Sequence, residues 1–157
     1  MTQKITPFLW FDTQAEEAAS FYVSLFKNSK IVSVSRYTEE GPGVSGSAMT
    51  VEFELDGVRF VALNGGPYFK FTEAISLSID CADQAEVDYY WSRLTDGGEE
   101  SQCGWLKDRY GLSWQVVPSA LQELLSSGDA ETARKVTAEM LTMKKLDIAR
   151  LRAAAGQ

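Results

Sequence analysis

Apolar and polar positions alternate in two different periods along this chain, and the order of the periods repeats. Ile5–Phe11 (ITPFLWF) is rich in β-forming residues and predicts a strand. Thr13-Gln-Ala-Glu16 has the spacing of a capping box. After it, Ala18, Phe21, Tyr22 and Leu25 recur at i, i+3, i+4 and i+7, which predicts a helix with one buried face. Three strands follow, over 31–37, 47–55 and 58–64. Asp56-Gly57 between the last two is a hairpin turn signal.

The same order begins again at Ala74. In AISLSID, Ile75, Leu77 and Ile79 fall on one face of a strand. Asp83-Gln-Ala-Glu86 repeats the cap, and Val87, Tyr90, Trp91 and Leu94 repeat the helical stripe. Gly97-Gly98 stops that helix. Weaker strands are predicted over 99–102, 103–107 and 112–117, and Pro118 ends them. A short helix (Ser119 to Leu125) and a long one (Ala130 to about Ala154) close the chain, with Ser127-Gly128-Asp129 as turn and cap. The pattern is therefore an α+β fold of two βαβββ modules, 1–66 and 72–118, followed by a helical extension over 119–157. Two such units can curl a mixed sheet around a shared cleft.

Composition narrows the function. The chain has 157 residues, 45% of them hydrophobic, which suits a folded domain. No apolar run approaches the ~20 residues of a membrane span, and MTQKITPF has no signal-peptide pattern. A cytoplasmic location is expected, with Cys81 and Cys103 as buried thiols, although a disulfide stays open. The net charge of −7 argues against nucleic acid and anionic membranes as partners. The same charge would draw in a cationic ligand. The chain has no histidine. That removes the Ser-His-Asp and Cys-His arrangements and the commonest metal ligand.

Four segments, PFLWFDTQAEEAASFYVSLF (7–26), LNGGPYFKFTEAISLSIDC (63–81), GWLKDRYGLSWQVVP (104–118) and MLTMKKLDIARL (140–151), resemble the vicinal-oxygen-chelate superfamily of glyoxalase, bleomycin-resistance and extradiol-dioxygenase proteins. The chain is most similar to its PhnB-like branch, often labelled a demethylubiquinone methyltransferase. The resemblance implies four metal-ligand positions. They fall between Ile5 and Pro7, at Asn64 (or Ala62), at Ala74 beside Glu73, and at Gln115. Two amides and one carboxylate make a poor transition-metal site. No metal and no cofactor is therefore expected.

Other candidates are weaker. Gly41-Pro-Gly-Val-Ser-Gly46 matches GxGxxG, but a strand follows it where a dinucleotide or S-adenosylmethionine site needs a helix. Glu52 and Glu54 share a strand face and suit either a paired acid and base or a solvated surface. Cys81 and Cys103 would be nucleophiles only with lowered pKa values. Trp10, Trp91 and Trp114 are assigned to the core.

The expected function is metal-independent binding of a small organic ligand. Asn64, Ser76 and Gln115 would supply hydrogen bonds, and Phe69, Phe71 and Trp105 would supply apolar walls. One alternative is a metal-dependent lyase, isomerase or dioxygenase of the same superfamily. Another is a dimeric interaction module working through the tail, whose stripe is Val136, Met140, Leu141, Met143, Ile148 and Leu151. The resemblance implies a homodimer.

Overall fold

The computed structural model describes residues 3–127 and 129–157. Gly128 of the expected turn and the first two residues of the N-terminal segment lie outside them. The chain divides into two compact units, Met1–Lys70 and Phe71–Gln157.

The first unit holds β1 (Phe8–Phe11), α1 (Ala15–Leu25), β2 (Lys30–Arg36), β3 (Ala48–Leu55) and β4 (Val58–Asn64). Its sheet runs β1-β4-β3-β2, with β1 parallel to β4 and the other pairs antiparallel. The expected strand from Ile5 starts only at Phe8. Pro7 has no N–H to offer a ladder, and its carbonyl accepts from Val61 N at 3.0 Å instead. Asp56 and Gly57 take φ of 47° and 80°, as a two-residue hairpin with right-handed strand twist requires. One sheet face is apolar. Leu9, Phe11, Val51, Phe53, Phe60 and Ala62 are buried there, along with Ala18, Ala19, Tyr22 and Leu25 of α1. The stripe read from the sequence is the buried one, except that Phe21 stays half-buried.

The helix start differs from expectation. Thr13 does not cap α1; the N-cap is Gln14, which makes no side-chain cap bond. The cap comes from 49 residues away, where Asn64 Oδ1 accepts from Ala15 N at 2.8 Å. Asn64 Nδ2 donates to Ala48 O at 3.0 Å. One amide thus joins the ends of α1, β3 and β4. Asn64→Ala leaves both backbone groups without that partner. It is expected to destabilise the protein by about 1–3 kcal/mol, read as a lowered urea midpoint.

The second unit repeats the order strand for strand. β5 (Ser76–Cys81), α2 (Gln84–Thr95), β6 (Glu99–Glu100), β7 (Trp105–Lys107) and β8 (Ser113–Pro118) form a sheet β5-β8-β7-β6 with β5 parallel to β8. Here the expected Asp83 cap is present, and Glu86 reaches back one residue beyond it. Asp83 accepts from Glu86 N at 2.9 Å, and Glu86 Oε2 accepts from Ala82 N at 3.1 Å. β7 starts two residues later than expected, because Cys103 and Gly104 take φ of 59° and 85° and break the strand. Two four-stranded mixed sheets with flanking helices make this an α+β fold of two modules.

The tail is three helices: α3 (Ser119–Ser126), α4 (Ala130–Met140) and α5 (Ile148–Ala154). The expected long helix breaks after Met140. Asp147 starts a new helix by accepting from Arg150 N at 3.1 Å. The break frees the carbonyls of Met143 and Lys144, which accept from Cys103 N and Gly104 N at 2.9 and 2.8 Å. Gln84 adds two bonds, donating to Leu146 O and accepting from Ile148 N. Leu121, Leu124, Val136, Met143, Leu146 and Leu151 form one buried cluster, with Val117 of β8 packed against it. The tail therefore packs on its own chain. Of the expected stripe, Leu141 stays 61% exposed.

Candidate ligand site

In the second unit, the side chains of β8 alternate between the two faces of the sheet, with Ser113 buried on its own face. Trp114 and Val116 face the core and α2, while Ser113, Gln115 and Val117 face the other way. Register extends that second face across the sheet. Ser113 lies between Ser76 of β5 and Lys107 of β7, and Gln115 lies between Ser78 and Trp105. Three residues read from the sequence thus share one surface. Gln115 Nε2 donates to Ser76 Oγ at 3.0 Å, and Trp105 stands half-buried beside Gln115 in register.

A cavity of about 320 Å³ opens on this face, lined by Glu73, Trp105, Lys107 and Ser113 among others. At its edge Lys107 Nζ donates to Glu73 Oε1. That hydrogen bond holds the Glu73 carboxyl below its usual pKa and raises that of Lys107. Ser113 is 1% exposed. Its Oγ is the one buried side-chain oxygen or nitrogen without a hydrogen-bond partner among the described residues. A buried hydroxyl left this way costs about 1–3 kcal/mol.

Ser113 was not among the residues read from the sequence. Period-two alternation from Gln115 places it on the same face, and that was the available signal.

The other expected residues are described within their own units. Asn64 is engaged within the first unit, as described. Phe69 is 65% exposed and meets Trp10 edge-on, with ring centroids 4.9 Å apart. Phe71 is half-buried at the start of the second unit. Ala62 is fully buried on the α1 side. Trp91 and Trp114 are core residues, as assigned, whereas Trp10 is half-buried and donates to Gly66 O at 2.9 Å.

The remaining chemistry is structural. Glu52 pairs with Arg59 at 2.9 Å. Cys81 is fully buried, and burial, followed by Glu86, Asp80 and Asp83, pushes its thiol pKa up to about 12. It is no nucleophile at neutral pH. The Gly41–Gly46 loop joins the antiparallel β2 and β3, so a strand and not a helix follows it in the chain.

Two mixed βαβββ sheets of identical strand order define the class: this is a vicinal-oxygen-chelate fold. The chain belongs to the family whose model is described as 3-demethylubiquinone-9 3-methyltransferase, which matches residues 3–117. A Bacillus cereus PhnB protein, provisionally given the same description, is 41% identical. The match covers 74% of this chain and 99% of that one, with a TM-score of 0.69. Protein PA1353 from Pseudomonas aeruginosa shares the fold at 20% identity, covering 74% and 98% of the two chains with a TM-score of 0.61. The fosfomycin resistance protein FosX from Listeria monocytogenes, in complex with Mn(II) and sulfate, does so at 14% identity, 86% and 97% coverage and a TM-score of 0.52. No curated protein matches the chain.

The Mn(II) in that neighbour asks whether this chain could hold one. Its donors do not fit. Among the described residues, no three His, Cys, Asp or Glu side chains converge on a point. Asn64 is engaged at both ends, Glu73 holds Lys107, and Gln115 holds Ser76. A neutral amide and a single paired carboxylate do not replace the hydration shell of a transition metal.

Proposed function

We propose that the protein binds a small organic ligand on the polar face of its second sheet, without a metal. The observation that carries this reading is the Ser113 hydroxyl, buried and unpartnered beside a cavity. Buried polar groups are nearly always satisfied, so a ligand that bonds to Ser113 removes an existing penalty. Glu73 and Lys107 supply charged groups in the cavity and Trp105 supplies an apolar wall, while Gln115 and Ser76 continue the same polar face beside it. The family description names a methyltransferase, but neither module places a glycine turn between a strand and a helix for a nucleotide-like cofactor.

A homodimer in the cytoplasm remains part of the proposal. No described helix is long and apolar enough to cross a membrane. Ile5 and Phe8 are 85% and 61% exposed, which suits a partner surface. The tail is a poor candidate for a separate docking module, because Val136, Met143, Ile148 and Leu151 are already buried by this chain.

The test is a fragment screen read by amide shifts on the full chain. Hits are expected to move Ser113, Gln115 and Trp105. Ser113→Ala should lower their affinity by about five- to tenfold while leaving stability unchanged or raised, since it deletes an unsatisfied group. Hits that bind Ser113→Ala as tightly as the native chain would overturn the reading.

A further inference from the structure

The first unit contains a larger cavity of about 600 Å³, within the size range of small-molecule sites. It lies where β1 and β4 end, beneath the β2–β3 loop, on the α1 side of the sheet. All the residues that line it belong to the first unit.

Its walls are fixed by aromatic packing. Gly43 lies so close to Tyr37 that a Cβ there would come within 2.3 Å of the ring, and Gly65 sits against Trp10 at 2.2 Å by the same measure. The Tyr37 hydroxyl donates to Asn64 O. Tyr37 N donates to Ser47 O, and Gly46 N donates to Tyr37 O, both at 2.9 Å. The space is therefore preformed, and binding needs little ordering of the loop.

The charges in it are one cation and two carboxylates: Arg36, Asp12 and Glu16. Arg36 is weakly held. Its Nη2 lies 3.5 Å from Glu16 Oε2, and its Nη1 lies 3.3 Å from Gly46 O. Charge-assisted bonds of this kind close to about 2.7–2.9 Å when well formed. The guanidinium fork is thus available to a better, bidentate partner. Beside it, Val44 and Tyr68 are 79% and 77% exposed, two large apolar side chains left in water at the cavity wall.

A bare anion would meet Arg36 but face both carboxylates. A bare cation would face Arg36. The geometry points to a zwitterion with an apolar body: a free α-amino acid with an aromatic or large aliphatic side chain. Its carboxylate goes to Arg36, its ammonium to Asp12 and Glu16, and its side chain covers Val44 and Tyr68.

The experiment titrates L-phenylalanine and L-leucine into the isotopically labelled full chain. 2-Phenylethylamine and 3-phenylpropionate serve as the cation-only and anion-only controls. The amino acids are expected to shift the amides of Gly43, Gly46, Gly65 and Gly66 while leaving Gln115 and Trp105 in place. Each control should bind at least about tenfold more weakly, and Arg36→Gln and Asp12→Asn should each lower affinity about tenfold, as loss of a bond to a charged group does. Both side chains are exposed, so the variants should keep the native melting temperature. Absence of shifts at millimolar amino acid overturns the inference. So does equal binding of either control, or binding unaffected by Arg36→Gln. Shifts confined to Gln115 and Trp105 also overturn it, and would count instead for the site in the second unit.

Discussion

Replacing Asp108 by alanine is expected to destabilise the protein by about 3–5 kcal/mol, the largest loss from any single polar residue here. Asp108 is 3% exposed. Its Oδ1 accepts from Tyr110 N at 2.8 Å and Leu112 N at 3.1 Å, and its Oδ2 accepts from Trp114 Nε1 at 2.8 Å. A carboxylate is acceptor-only and suits three converging donors. Alanine leaves two buried N–H groups, of Leu112 and Trp114, and the half-buried one of Tyr110 without this acceptor, and each lost bond adds to the penalty. Asp108→Asn keeps one acceptor oxygen but turns an NH₂ toward a donor, so its loss should be smaller. Urea unfolding followed by tryptophan fluorescence measures both. A loss under about 1 kcal/mol for the alanine variant, the size of an exposed hydrogen bond, would contradict this account. Because Trp114 is adjacent to Gln115, the same network also fixes the strand that carries the candidate site.

Leu146→Ala should cost about 2.5–5 kcal/mol, as truncation of a fully buried leucine does. Leu146 is 0% exposed and belongs to the cluster that joins α3, α4 and α5. Its side chain also faces Gly104, where an added Cβ would lie 3.0 Å from Leu146 Cδ1 and 2.9 Å from Val116 O. The tail thus packs against the start of β7, the strand of Trp105. If the tail is part of the second unit, the loss should appear in one cooperative transition shared with Trp105 and Trp114. A separate low-stability transition, with the rest of the unit unchanged, would show the tail to be an independent arm.

The repeat and the helix stripes were legible in the sequence because both are local. Val87, Trp91 and Leu94 bury the face their spacing predicts, and Asp83 caps α2 from three residues away. Thr13 had the same spacing and did not cap α1, since Asn64 reaches the same amide from β4. Nothing local reveals a contact across 49 residues. The tail misled for a similar reason. Its apolar residues fit one long helix, but bonds from Cys103 and Gly104 to the carbonyls of Met143 and Lys144 favour a break. Ser76, Trp105 and Gln115 could be grouped from strand alternation alone. Ser113 could have joined them, but its missing partner is visible only once every neighbour is placed. The cavity beside Arg36 had no motif to announce it, because it is built from the ends of elements distant in sequence.

We propose that this vicinal-oxygen-chelate fold works without a metal. Elemental analysis of tag-free protein, purified without chelator and offered Mn, Fe, Ni and Zn, tests it most directly. The tag must be absent, because it would bring histidines that this chain lacks. The expected result is far less than one metal ion per chain for every metal offered. One tightly held ion per chain, surviving dialysis and lost on substituting Glu73 or Gln115, would contradict the claim.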